Sequence, residues 1–192
     1  AVELNAGGIE NLSLIPGTVG GAVYQNIGAY GVELKDVLAF VRAYDIPTGN
    51  IARLSKEECE FEYRSSVFKK NKNLIILEAE LLLSKHQKPN LSYPDLQKRF
   101  YGQNPALNEV RQAVIDIRLI KLPYPPNIMP HIFSNKGHLL INNAGSFFKN
   151  PMTEISKFES LISKHSDLKG RDLGNGFVKL SAAQLIEKAG WK

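Results

Sequence analysis

Four stretches of this 192-residue chain carry side chains suited to chemistry. The first, residues 15–31, holds five glycines and two alanines in seventeen positions. Residues without side chains, Gly17, Gly21 and Gly28 among them, let backbone N–H groups approach a phosphate or a flat ring. No Gly-Lys-Ser/Thr follows and the spacing is not Gly-x-Gly-x-x-Gly, so this is neither a Walker loop nor a Rossmann turn. A set of tight turns packing small residues would look the same. The second stretch, Tyr63-Arg64-Ser65-Ser66, offers a guanidinium that could grip a carboxylate by two parallel hydrogen bonds; a surface arginine paired with Glu60 or Glu62 is the plainer account. In the third, Tyr93 sits in a Pro-Asn-Leu-Ser-Tyr-Pro turn. Arg118 and Lys121 then share one helix face near a C-terminus that itself favours cations. The fourth, Asn143 to Pro151, sets Ser146 beside Phe147 and Phe148. A serine there is a poor base and has no His or Asp spaced to form a triad, but it could donate a proton to a reactive enolate.

The elements that must position these groups follow from periodicity. Val37 to Tyr44 and Ile51 to Leu54 are expected as strands around a Pro47-Thr48-Gly49-Asn50 turn, and Leu74 to Leu83 as the clearest strand. Ser55 and Glu58 have capping-box spacing. Val110, Ala113, Val114 and Ile117 predict a helix capped by Asn108 and stopped by Pro123. Residues 124–141 are expected as irregular loop. Two more helices are expected near Phe158 and Leu185, with Ser156/Glu159 and Ser181/Gln184 as capping boxes and Gly190 ending the last. The first half is thus strand-rich and the second helix-rich. The expectation is an α+β architecture of two lobes with a cleft, divided between residues 106 and 107 where Gly102-Gln103-Asn104-Pro105 reads as a linker.

Composition narrows the class. A 43% hydrophobic and 22% charged chain can build real cores. The formal charge of +5 suits a nucleotide diphosphate, and it is thin support for nucleic acid because no long basic block occurs. One cysteine, Cys59, excludes an intrachain disulfide, and the four histidines lack ligand spacing, so no metal site is expected. No apolar run reaches the length of a membrane span. Both ends of the chain look cut.

Taken in order, the blocks at 15–31, 59–69, 89–96, 118–123, 143–151 and 177–192 resemble those of the UDP-N-acetylenolpyruvoylglucosamine reductases, in the subgroup that closes a tyrosine loop over substrate. The resemblance implies part of a vanillyl-alcohol-oxidase-like FAD-binding lobe (1–106) followed by a smaller, incomplete α+β substrate-binding lobe (107–192). It implies FAD and NADPH as cofactors and the enolpyruvyl ether of UDP-N-acetylglucosamine as substrate, in a cytoplasmic monomer that binds neither nucleic acid nor membrane. It assigns Ile15, Gly17, Gly21, Gly28 and Tyr30 to the flavin. Arg64 goes to the enolpyruvyl carboxylate and the enolate formed after hydride transfer, and Ser146 to protonation of the adjacent carbon. Tyr93 and Lys121 go to the diphosphate and Asn150 to the substrate. The stretch 124–142 is longer than the family spacing. The alternatives are a non-catalytic UDP-sugar-binding fragment and another flavin oxidoreductase of the same fold.

Overall fold

The computed structural model describes residues 1–121 and 148–191. It divides into two compact units, Ala1–Ile141 and Asn142–Lys192. The expected boundary at 106/107 does not coincide with this division, and the reason lies in one helix. In the helix Leu107–Lys121, the stripe Val110, Ala113 and Val114 is fully buried against Leu96 and Phe100 of the first unit. Leu107 also seats over Gly7, where an added Cβ would lie 2.8 Å from its Cδ2.

In chain order the first unit contains α1 (Val19–Gln25), β1 (Gly28–Ala29), β2 (Val32–Glu33), β3 (Leu38–Asp45), β4 (Asn50–Ser55), α2 (Val67–Lys70), β5 (Leu74–Leu81), α3 (Pro94–Arg99) and α4 (Leu107–Lys121). β1 and β2 form a small hairpin. The main sheet is antiparallel in the order β4-β3-β5. Alternation along β3 sends Val41 and Ala43 inward, where Val23, Leu34, Leu38, Cys59 and Phe68 complete a buried core. The outward residues of the same strand are polar-paired or stacked: Arg42 meets Glu78 at 2.7 Å, and Phe40 lies under the Arg53 guanidinium. A second core joins α3 and α4, with Tyr30 and Tyr93 packed on its edge.

The second unit has β6 (Met152–Glu154), α5 (Ile155–Lys164), β7 (Gly170–Asp172), β8 (Phe177–Leu180) and α6 (Ala182–Lys188). Its sheet runs β6-β8-β7, all antiparallel, over a core of Leu168, Val178 and Leu180. Sequence periodicity missed these three- and four-residue strands. Two expected caps are also corrected. Asn108 lies inside α4, and the helix start is held by Glu109, whose carboxylate accepts the Ala106 N–H at 2.7 Å. Ser156 lies inside α5, whose N-cap is Glu154 with no side-chain bond. Ser55 and Glu58 make both bonds of a capping box, but around a turn rather than a helix. Ser181 caps α6 through the Gln184 N–H, as expected.

Candidate functional site

The glycines of residues 15–31 are of two kinds. Gly17 sits at φ +120 with nothing within 4 Å of a would-be Cβ; that of Gly20 meets its first atom at 3.9 Å and that of Gly21 at 3.4 Å, the Thr18 hydroxyl. That hydroxyl accepts the Gly21 N–H at 3.1 Å and caps α1. Pro16 to Val19 and Gly21 are exposed and Ile15 is half-buried, so the loop and first turn of α1 present bare backbone. Gly28 and Gly31 are crowded instead. A Cβ on Gly28 would fall 2.8 Å from Arg64 Nη1 and 2.9 Å from Glu33 Cγ, and one on Gly31 would fall 2.6 Å from Ser92 Oγ.

Gly28 is empty because Arg64 fills its space. Arg64 takes a left-handed φ of +55 in a turn closed by paired Glu62 and Ser65. Its Nη1 donates to the Asn26 carbonyl at 3.2 Å and its Nη2 to the Gly28 carbonyl at 2.5 Å. Glu33 Oε1 lies 3.6 Å from Nη1, and the Tyr63 ring lies 4.9 Å from the guanidinium carbon. The pairing expected with Glu60 or Glu62 does not form; Lys70 takes those carboxylates at 3.3 and 2.8 Å. No acceptor among the described residues meets Arg64 Nε, and a guanidinium with a spare N–H has the chemistry to take an oxyanion.

At the other end of the β1–β2 hairpin, the Tyr30 ring meets Tyr93 edge-on, with centroids 4.9 Å apart. Asn11 holds this arrangement. Fully buried, it donates through Nδ2 to the Tyr30 carbonyl at 2.7 Å and the Asn90 carbonyl at 2.8 Å. Asn90 in turn donates to the Gly31 carbonyl at 3.1 Å. One hairpin therefore brings together Gly28, Tyr30, Arg64 and Tyr93, which the sequence offered as separate blocks. Asn11, Asn26 and Glu33 were missed, because an asparagine or glutamate that bonds the backbone of distant segments leaves no local pattern.

Three expected residues remain, Lys121, Ser146 and Asn150. Lys121 is the last residue of α4, and its side chain lies outside the described residues, as does Ser146. Asn150 belongs to the second unit, where its side-chain oxygen accepts the Ala182 N–H at 3.0 Å and caps α6 alongside Ser181. Among the described residues no group of three or more His, Cys, Asp or Glu could hold a metal, and no helix is long and apolar enough to cross a membrane.

A family model for an FAD-binding domain matches residues 2–55, the stretch that contains the bare glycines and the hairpin. Over 187 residues the chain is 46% identical to a UDP-N-acetylenolpyruvoylglucosamine reductase of Shewanella sediminis, covering 96% of this chain and 50% of that protein. Proteins of the same name match at 42% identity in Amoebophilus asiaticus, over all of this chain and 54% of the relative, and at 44% in Bdellovibrio bacteriovorus, over 96% and 52%. The chain is a homologue of the UDP-N-acetylenolpyruvoylglucosamine reductases. It spans about half the length of these relatives. A crystal structure of the Thermus caldophilus reductase matches with a TM-score of 0.49 and 22% identity, over 99% of this chain and 61% of that one, a likeness too loose to compare residue with residue. The mixed α and β fold and the FAD-binding stretch agree with the architecture that the reductase resemblance implies.

Proposed function

We propose that the protein takes part in the FAD-dependent, NADPH-linked reduction of the enolpyruvyl ether of UDP-N-acetylglucosamine to UDP-N-acetylmuramate. The observation that carries this is Arg64, a cation fixed by backbone carbonyls on the hairpin that follows the bare glycine loop, whose Nε meets no acceptor among the described residues. The loop fits a flavin: Gly17, Gly20 and Gly21 leave empty the space a Cβ would fill, so a flat ring or a pyrophosphate could lie against backbone. Ile15, Gly17, Gly21 and Tyr30 would hold it. Gly28 would touch it only through backbone, since the space above its Cα belongs to Arg64. When bound, the flavin supplies the hydride that originates on NADPH.

The chain's own residues do the rest. Arg64 orients the substrate carboxylate and stabilises the negative charge that grows on it as the double bond is reduced. Ser146 donates the proton to the carbon beside that carboxylate. Tyr93, Lys121 and Asn150 hold the diphosphate and sugar, contributing orientation rather than chemistry. Among the described residues the α6 cap engages the Asn150 oxygen and no acceptor meets its Nδ2. Both substrates are soluble nucleotides, which suits a cytoplasmic monomer.

The test separates the two half-reactions. Ser146→Ala should abolish UDP-N-acetylmuramate formation while leaving reduction of bound FAD by NADPH unchanged. Equal loss of both would remove Ser146 as the proton donor. UDP-sugar binding by a protein that takes up no FAD at all would overturn the redox proposal itself.

A further inference from the structure

Arg64 is held more firmly than a solvated arginine needs to be, and the groups that hold it converge on one carboxylate. Glu33 is fixed from several directions. Its N–H donates to Asp36 Oδ2 at 2.8 Å, and its side chain accepts the Asp36 N–H in return. Its Oε2 accepts Asn26 Nδ2 at 3.1 Å and pairs with Lys35 Nζ at 3.1 Å. Its Oε1 lies 3.6 Å from Arg64 Nη1. Asn26 links the two partners a second time. Fully buried at the left-handed end of α1, it also donates Nδ2 to the Glu62 carbonyl at 3.0 Å, two residues before Arg64. The turn that carries the cation and the strand that carries the anion are thus tied to the same amide.

We infer that Glu33 is a positioning residue for Arg64, holding the terminal nitrogens of the guanidinium against the hairpin so that the Nε edge faces the substrate carboxylate. This rests on the reading of Arg64 given above. A contribution to folding alone does not account for the arrangement. At 3.6 Å, between side chains that are 28% and 26% exposed, the ion pair adds little to stability. What it restricts is the aim of a long side chain whose freedom would otherwise be large. A guanidinium that turns toward solvent still attracts an anion but no longer meets the charge developing in the transition state, so the loss belongs mainly in kcat.

The Arg64 Nε–Hε NMR signal reads the group directly and needs neither cofactor nor turnover. In the parent protein it should have a shift resolved from the bulk arginine signals, because the guanidinium is held in one orientation, and in Glu33→Ala it should merge with them. Glu33→Gln keeps the length and one acceptor oxygen and should restore much of the resolved signal, which guards against a Glu33→Ala protein that fails to fold. In turnover, Glu33→Ala should lower kcat for the enolpyruvyl substrate by about tenfold or more, with a smaller change in KM and an unaltered rate of flavin reduction. An unchanged Arg64 signal in Glu33→Ala would overturn the inference. Arg64→Ala as the reference variant separates the two ideas. If it leaves enolpyruvyl reduction intact, the role of Arg64 fails and this inference with it; if it abolishes that step while Glu33→Ala leaves kcat unchanged, only the positioning role fails.

Discussion

Gly28 is where the hairpin and the arginine approach most closely, and an alanine there has no room. Its Cβ would meet the Arg64 guanidinium at 2.8 Å and the Val32 carbonyl at 3.1 Å, and the carbonyl cannot swing aside. Gly28→Ala should therefore cost about 1–3 kcal/mol, as overpacking does, and displace Arg64 from its two carbonyls. Chemical denaturation checks the first effect and the Arg64 Nε signal the second. Cys59 makes a separate test at the same scale. Its thiol is fully buried, and burial, with smaller pushes from Glu58 and Glu57, raises its pKa from 9.0 to about 11. At pH 8 it should resist a disulfide reagent until the protein is unfolded. A folded pKa above the unfolded one means the thiol's contribution is full below about pH 9 and is lost as pH rises through about 11. Urea melts should show stability falling across that alkaline window.

At the scale of elements, α1 separates packing from binding. Gly21 lies inside a helix, and its would-be Cβ meets only the Thr18 hydroxyl at 3.4 Å. Replacing an unhindered helical glycine by alanine stabilises a protein by about 0.5–1 kcal/mol. Gly21→Ala should then melt no lower than the parent yet retain less FAD after gel filtration, because the methyl enters the space proposed for the ring. A variant that is both stabler and equally yellow would move the flavin off this face. The long elements were legible for a physical reason: β3 and α4 each bury a periodic stripe and β5 half-buries one, and that period is written in consecutive residues. The strands β6, β7 and β8 have three or four residues each, too few to establish a period. Asn108 and Ser156 have the residue types of caps, but the helices begin earlier, at Leu107 and Ile155. Of the site, the resemblance supplied Arg64, Tyr30 and Tyr93, whereas Glu33 and Asn11 act through partners far away in sequence and emerge only once the chain is folded.

At the scale of the molecule, each unit owns a core, and the smaller one is thin. Leu168, Val178 and Leu180 are its buried hydrophobic cluster, with Phe158 packed against them. Gly170 in β7 lies beneath this cluster; a Cβ there would collide with Val178 Cγ1 and lie 2.8 Å from the Phe158 ring. Gly170→Ala should remove hydrogen-exchange protection from the β8 amides, at about 1–3 kcal/mol of strain. Protection of β8 equal to the parent would mean that the sheet has slack enough to take up the methyl. The placement of α4 in the first unit follows the same logic of burial: a linker-like composition at 102–105 marks a turn, and the stripe that follows it packs on the first unit's core.

The Asn11 amide also constrains the order of events when the chain first folds. Its two carbonyl partners stand 19 and 79 residues away. The β3–β4 hairpin closes across a four-residue turn, so loop entropy allows it early. Asn11 can bond the Tyr30 carbonyl early, but its second N–H has no partner until residue 90 has left the ribosome. The tip of the β1–β2 hairpin therefore locks only after the β3-β4-β5 sheet that follows it has been made.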